Sequence, residues 1–236
     1  MLPTKDRVVL VSGANRGIGY AIARRLHDDG YTLSLGVRNP ESVPGDPPFD
    51  DDRVQIVTYE AREVAAAEGW VDEAFRRFGR IDALVNNASV NHWVSIEDGS
   101  VEELDEMWEV NIRAPFLLTR AVFPHLKRTR HGRIVNIASL SGKRVKSPLA
   151  GYFMSKFALV ALSHSTRYAG WEHGIRATAI CPGTVNTEMV REELPIARED
   201  LVQPDDVARL VALTLSMPDN ASVSEIPVNC MLESFA

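Results

Sequence analysis

Cysteine is scarce: Cys181 and Cys230 are the only two in 236 residues. That excludes a disulfide framework, and neither has a His or Cys at metal-ligand spacing, so no metal is expected and a reducing cytoplasm fits best. Long apolar runs are missing too, with no window approaching the roughly 20 residues that cross a bilayer. Lys5 and Arg7 precede a run of only four apolar residues, so neither a signal peptide nor a membrane partner is expected. Positive charge is not in excess. The formal net charge of -6 argues against a nucleic-acid groove, and the local basic run KRTRH at 127–131 suits the C-terminal end of a helix. No Gly-x-Ser-x-Gly elbow occurs, which disfavours a serine hydrolase.

What the chain does have is alternation. Short β-branched runs at 8–11, 32–35, 54–57, 81–85, 133–137, 176–180 and 223–228 read as buried strands. Segments with helical spacing lie between them, at 18–27, 63–78, 101–126, 152–173 and 204–215. This order predicts one α/β domain over residues 1–236: a doubly wound, Rossmann-type parallel sheet of about seven strands with helices on both faces. The stretch 45–52 reads as a solvated loop. Polar residues follow successive strands: Gly13, Arg38, Glu60, Asn86 with Asn87, Ser139, then Cys181-Pro182-Gly183. Ligands of open parallel sheets bind beyond the carboxyl ends of the strands, so these residues should meet in one crevice.

The stretch SGANRGIG at 12–19 sets Gly13, Gly17 and Gly19 between the first strand and an amphipathic helix, with Asn15, Arg16 and Ile18 among them. Glycines there let the backbone approach a pyrophosphate, which then meets free N–H groups at the helix start. No Lys-Ser or Lys-Thr follows, so a Walker-type loop does not fit. After the second strand an acidic residue would hold a ribose diol, whereas this chain has Arg38, and Arg16 can reach the same place. Two guanidiniums suit a 2′-phosphate, so NADP(H) is expected in preference to NAD(H); the alternative is that Arg38 merely points into solvent.

Tyr152 and Lys156 stand four residues apart, on one helical face. A cation beside a phenol favours its phenolate, drawing it down from about 10. The combination of SGANRGIG, the Asn-Asn-Ala of 86–88, Asn111, Ser139, YFMSK at 152–156 and PGTVNT at 182–187 resembles the short-chain dehydrogenase/reductase family, across nearly the whole chain. The resemblance implies that Tyr152 is the general acid/base of an alcohol–carbonyl interconversion, with hydride moving directly between nicotinamide and carbon. It makes Lys156 the group that holds the nicotinamide ribose and lowers the Tyr152 pKa. It makes Ser139, thirteen residues before the tyrosine, the hydroxyl that bonds the substrate oxygen. It also implies that the main-chain oxygen of Asn111 holds a relay water. Pro115, four residues on, has no N–H to give that carbonyl. Asn87 and Ala88 would line the cofactor, the main chain around Pro182, Gly183 and Val185 would pack on the nicotinamide, and Thr187 would lie near its amide or the phosphates.

The chain departs from the family pattern at three places. Ser89 stands where glycine is usual, Glu60-Ala61 where an acidic residue and valine usually meet adenine, and VNCM at 228–231 where Val-Asp-Gly-Gly is common. Substrate is expected among the loop after Ser139, the segment 89–95 with Ser89, His92 and Trp93, and a lid at about 188–201. Lys143, Arg144 and Lys146 form a cationic cluster that would suit an anionic carbonyl or alcohol substrate. The helix from Tyr152 is apolar on more than one side, with Phe153, Phe157, Leu159, Val160 and Leu162, which suits the homodimer or homotetramer common in the family. The rival expectation is a nucleotide-binding sensor or scaffold of the same fold that turns nothing over.

Overall fold

The computed structural model describes residues 1–44, 49, 51–190 and 196–232. Residues 45–48 and 50 of the expected solvated loop, and 191–195 of the expected lid, lie outside that set. The frame is a seven-stranded parallel sheet in the order β3-β2-β1-β4-β5-β6-β7. The strands are β1 (Val8–Ser12), β2 (Thr32–Val37), β3 (Val54–Thr58), β4 (Ala83–Asn86), β5 (Arg133–Ile137), β6 (Arg176–Pro182) and β7 (Glu225–Val228). The helices are α1 (Gly17–Asp28), α2 (Ala66–Phe78), α3 (Val101–Trp108), α4 (Ala114–Thr129), α5 (Ala150–Gly170) and α6 (Pro204–Ser216).

The alternation of the strands explains the layers. Along β1, Val9 and Val11 face a core with Ile22 and Leu26 of α1 and Val207 and Val211 of α6. Val8 and Leu10 face the other core, with Trp70 of α2 and Leu118 and Val122 of α4. A third cluster seats Leu159 and Val160 of α5 on Ala179 and Cys181 of β6. Trp70 is fully buried against Gly36, where any Cβ would collide with the indole, and its N–H donates to Ser34 Oγ at 2.9 Å. Burying so large a ring stabilises α2 on the sheet only because β2 has no side chain at that point.

Two expected boundaries fail for identifiable reasons. Ile81 and Asp82 precede β4 rather than join it, because the Asp82 carboxylate accepts from Val8 N at 2.8 Å and from the Arg80 guanidinium at 2.7 and 2.9 Å. The helix expected over 101–126 runs unbroken to Thr129 but is not α-helical throughout. Residues Glu109–Arg113 form a π-helical turn between α3 and α4, in which Ala114 N donates to Glu109 O. Pro115 supplies no N–H to Asn111, so the turn widens just ahead of it.

Candidate active site

β2 and β3 lie on one side of β1 and β4 to β7 on the other, so the strand order reverses between β1 and β4. Gly13 and Asn87 leave the carboxyl ends of these two strands, and a cavity of about 1540 Å³ opens there. That exceeds the roughly 300–1,000 Å³ of a site for one small ligand.

At one end the cavity is walled by Gly13, Asn15, Arg16, Gly17 and Ile18. Gly13 and Gly17 have φ of +67° and +52°, a backbone region that side chains with a Cβ rarely adopt. Gly19 does not reach the wall. Its part is close packing, since a Cβ there would collide with the Gly13 carbonyl and the Asn87 amide. Arg16 is the N-cap of α1 and its side chain makes no cap hydrogen bond, which leaves the first-turn N–H groups directed at the cavity. The Asn87 side chain ties β4 to the turn, donating to Ser12 O and Gly13 O at 3.0 and 3.1 Å. Ala88 N donates to Ser12 Oγ at 3.1 Å.

Arg38, Glu60 and Ala61 line the same end. Arg38 is exposed, and Glu60 caps its own turn by accepting from Arg62 N at 3.1 Å. Ser42 and Asn39 also line this end and were missed in the sequence. A short 3-10 turn at Pro40–Ser42 brings Ser42 Oγ to 3.1 Å from Asn15 Nδ2, which donates to it. The signal was there: Asn39 accepts from Glu41 N, and Asn-Pro commonly starts such a turn.

At the other end stand Ser139, Tyr152 and Lys156, with Pro182, Gly183 and Val185 from the end of β6 and beyond, and the chain then returns to the glycine turn, where Thr187 lies against Gly17. Ser139 caps the 3-10 turn Leu140–Gly142, accepting from Ser141 N at 3.0 Å, while its own hydroxyl donates to Pro182 O at 3.4 Å. Lys156 is buried and donates to Ile137 O at 3.2 Å, with its Nζ 5.5 Å from the Tyr152 ring centroid. Burial pushes the Tyr152 phenol up to about 12, against the pull of a hydrogen bond with Ser139. Burial pushes the Lys156 amine down to about 8.

In the chain by itself the phenol is shifted upward, opposite to the direction expected beside a cation. Within the folded chain, desolvation disfavours the charged form of both groups and is the largest cause of each shift. Tyr152 is therefore a protonated acid at neutral pH, and Lys156 is the member of the pair that titrates near it.

Asn111 does not line the cavity. It is 1% exposed and braces the wall from behind. Its Oδ1 accepts from Ser89 Oγ and Val90 N at 3.0 and 2.9 Å, and its Nδ2 donates to Val90 O and Ser155 Oγ at 2.9 and 3.1 Å. Ser89 lines the cavity with its hydroxyl turned back to this amide. His92, Trp93, Arg144 and Lys146 complete the wall, and with them come Glu106 and Arg198, which the sequence did not single out. Glu106 pairs with His92 Nε2 at 2.7 Å. Lys143 is not part of the cationic wall: it is held by Glu225 at 2.6 Å, as is His164.

A glycine turn at an uncapped helix start, joined by one cavity to a Ser, Tyr and Lys cluster, is the constellation for which comparison with known proteins is informative. The sequence profile described as short chain dehydrogenase matches residues 7–196. The chain belongs to the short-chain dehydrogenase family. It is 40% identical to agropine synthesis reductase of Rhizobium rhizogenes over 96% of its own length and 53% of the relative's, so it spans about half of that curated protein. Among solved structures it resembles a 3-ketoacyl-(acyl-carrier-protein) reductase of Brucella melitensis complexed with NADH, at a TM-score of 0.86 and 26% identity over 95% and 97% of the two chains. An alcohol dehydrogenase of the archaeon Thermococcus sibiricus, complexed with 5-hydroxy-NADP, matches with a TM-score of 0.86 and 28% identity over 97% and 98%. The short-chain dehydrogenase fold thus has neighbours with either dinucleotide. No helix among the described residues is long and apolar enough to cross a membrane.

Proposed function

We propose that this protein is an NADP(H)-dependent oxidoreductase that interconverts a small carbonyl compound and its alcohol, with Tyr152 as general acid/base. The observation that carries the reading is the single cavity that joins the glycine turn of α1 to Ser139, Tyr152 and Lys156. Its volume and its uncapped helix start suit a dinucleotide, held by Gly13, Arg16, Gly17, Arg38, Asn87 and Thr187. When bound, that cofactor supplies or accepts the hydride.

The chain's own residues do the rest. In reduction, the Tyr152 hydroxyl gives its proton to the carbonyl oxygen as the carbon gains hydride, and a phenol held at about 12 is protonated for that task. Ser139 turns its hydroxyl from Pro182 O, to which it donates at 3.4 Å, toward the oxygen on which negative charge grows. Lys156, poised at about 8, exchanges the proton that restores Tyr152. The Asn111 carbonyl, which Pro115 cannot serve as a donor, would hold a relay water behind the wall, and the Asn111 side chain fixes the wall at Ser89 and Val90. The relative named as a reductase favours the reductive direction. Arg144 and Lys146 on the wall suit an anionic substrate, and Glu188, Met189, Val190 and Arg198, which line the same cavity, suit a cover over it. The two unpaired cysteines fit a reducing cytoplasm.

The test is NADPH oxidation against a panel of aldehydes and ketones, acidic ones included, with Tyr152→Phe as control. Turnover should fall by about 10²–10⁴ in the variant while NADPH still binds. Dinucleotide binding with no turnover on any substrate would replace this reading with a sensor or scaffold.

A further inference from the structure

Arg16 is paired. Its Nη1 lies 2.7 Å from Oε2 of Glu188, which stands across the cavity on the segment that follows β6. Both side chains line the cavity, and the two walls touch beside them, where a Cβ on Gly17 would sit 3.3 Å from Thr187 Cγ2. Both are exposed, at 63% and 76% of their side chains, so neither is needed to fill a core. Among the described residues, the hydrogen bond to Arg16 is the one that Glu188 makes. Arg38, at the same end of the cavity, has no such acidic partner among the described residues.

The pair sits at an awkward place for a carboxylate. The uncapped start of α1 favours an anion, and a dinucleotide held there by Gly13, Gly17 and Arg16 would bring negative charge up to Glu188. A phosphate monoester carries more charge than a carboxylate and offers three acceptor oxygens to a guanidinium, so it competes successfully for the same fork. An exposed ion pair gives way readily, being worth a factor of about 1.5 to 5 in an equilibrium constant.

We propose that Glu188 is a specificity-determining residue: its carboxylate occupies the Arg16 guanidinium in competition with the 2′-phosphate of the dinucleotide, and so limits the preference for NADPH over NADH. The inference rests on the assignment of Arg16 to the 2′-phosphate. Glu188 acts through Arg16, so its removal should help the phosphorylated cofactor more than the plain one. NADH gains only relief from repulsion at the pyrophosphate, whereas NADPH also gains a freed guanidinium.

The test is equilibrium binding of NADPH, NADH and 2′,5′-ADP to the full chain, wild type and Glu188→Gln. The variant should bind NADPH and 2′,5′-ADP about two- to fivefold more tightly and raise the NADPH-to-NADH preference at least about twofold, with Glu188→Asp close to wild type. The gain should disappear when Arg16→Gln is present in both proteins, a non-additivity that a merely structural role would not produce. An unchanged preference in Glu188→Gln, or the same gain without Arg16, would overturn the proposal. The wild-type preference is read separately. If wild type favours NADH, the NADP(H) assignment falls, and the shift caused by Glu188→Gln still decides the role of Glu188. If wild type binds neither dinucleotide, both fall.

Discussion

Lys156 holds an amine inside the protein with a backbone carbonyl as its hydrogen-bond partner. Its charge is costly there. The folded-state pKa of about 8 lies below the usual 10.5, so the unfolded chain binds more protons between those values and stability from this group rises with pH across that window. Lys156→Met should therefore abolish turnover and yet raise the melting temperature at pH 7, with a gain that shrinks by pH 10; equal shifts at both pH values would refute the charge argument. At this scale the sequence was only half legible. The spacing of Tyr152 and Lys156 placed them on one face, but the direction of their pKa shifts depends on burial. Spacing along a helix carries no information on what covers it.

At the scale of the element, the π turn at Glu109–Arg113 is the clearest instance of local chemistry with a distant consequence. Pro115 was visible in the sequence and so was the loss of its N–H. That the Asn111 amide would clamp Ser89, Val90 and Ser155 from two other segments was not visible, because those partners are 22, 21 and 44 residues away. The far end of the sheet is held in a similar way. Arg133 at the start of β5 is buried and pairs with Asp219 at 2.7 Å, where His131 joins at the same distance. Burial opposes the Asp219 charge, but hydrogen bonds from Arg133 and His131 outweigh it and lower the carboxyl pKa. A lowered acid pKa stabilises the fold above the unfolded value of about 4 and loses that contribution as pH falls through the folded one. Asp219→Ala should cost about 2–3 kcal/mol at pH 7, since Met217 O still accepts from the guanidinium. In denaturant titrations the gap between variant and wild type should close below about pH 4.

For the whole molecule, the apolar face left by α4 and α5 bears on assembly. Phe116, Met154 and Phe157 are 49%, 46% and 42% exposed, and half-covered rings on adjacent helices suit a second copy of the chain. Sedimentation at micromolar concentration should give a species well above the 26.1 kDa of one chain, and Phe157→Glu should reduce it to one. A wild-type protein sedimenting as a single chain would refute the homo-oligomer.

The order of strands and helices, the glycine turn and the Ser, Tyr and Lys positions were determined by the sequence, since periodicity, glycine and proline act over a few neighbouring residues. The tertiary structure alone decided which of those residues face the cavity. Gly19 and Asn111 stand behind it, Lys143 is drawn off to Glu225, and Glu188 is brought to Arg16 across 172 positions of chain. Such pairings follow from where crossovers return the chain to the sheet. They also fix how much water each group loses, which sets the charge state of Tyr152 and Lys156.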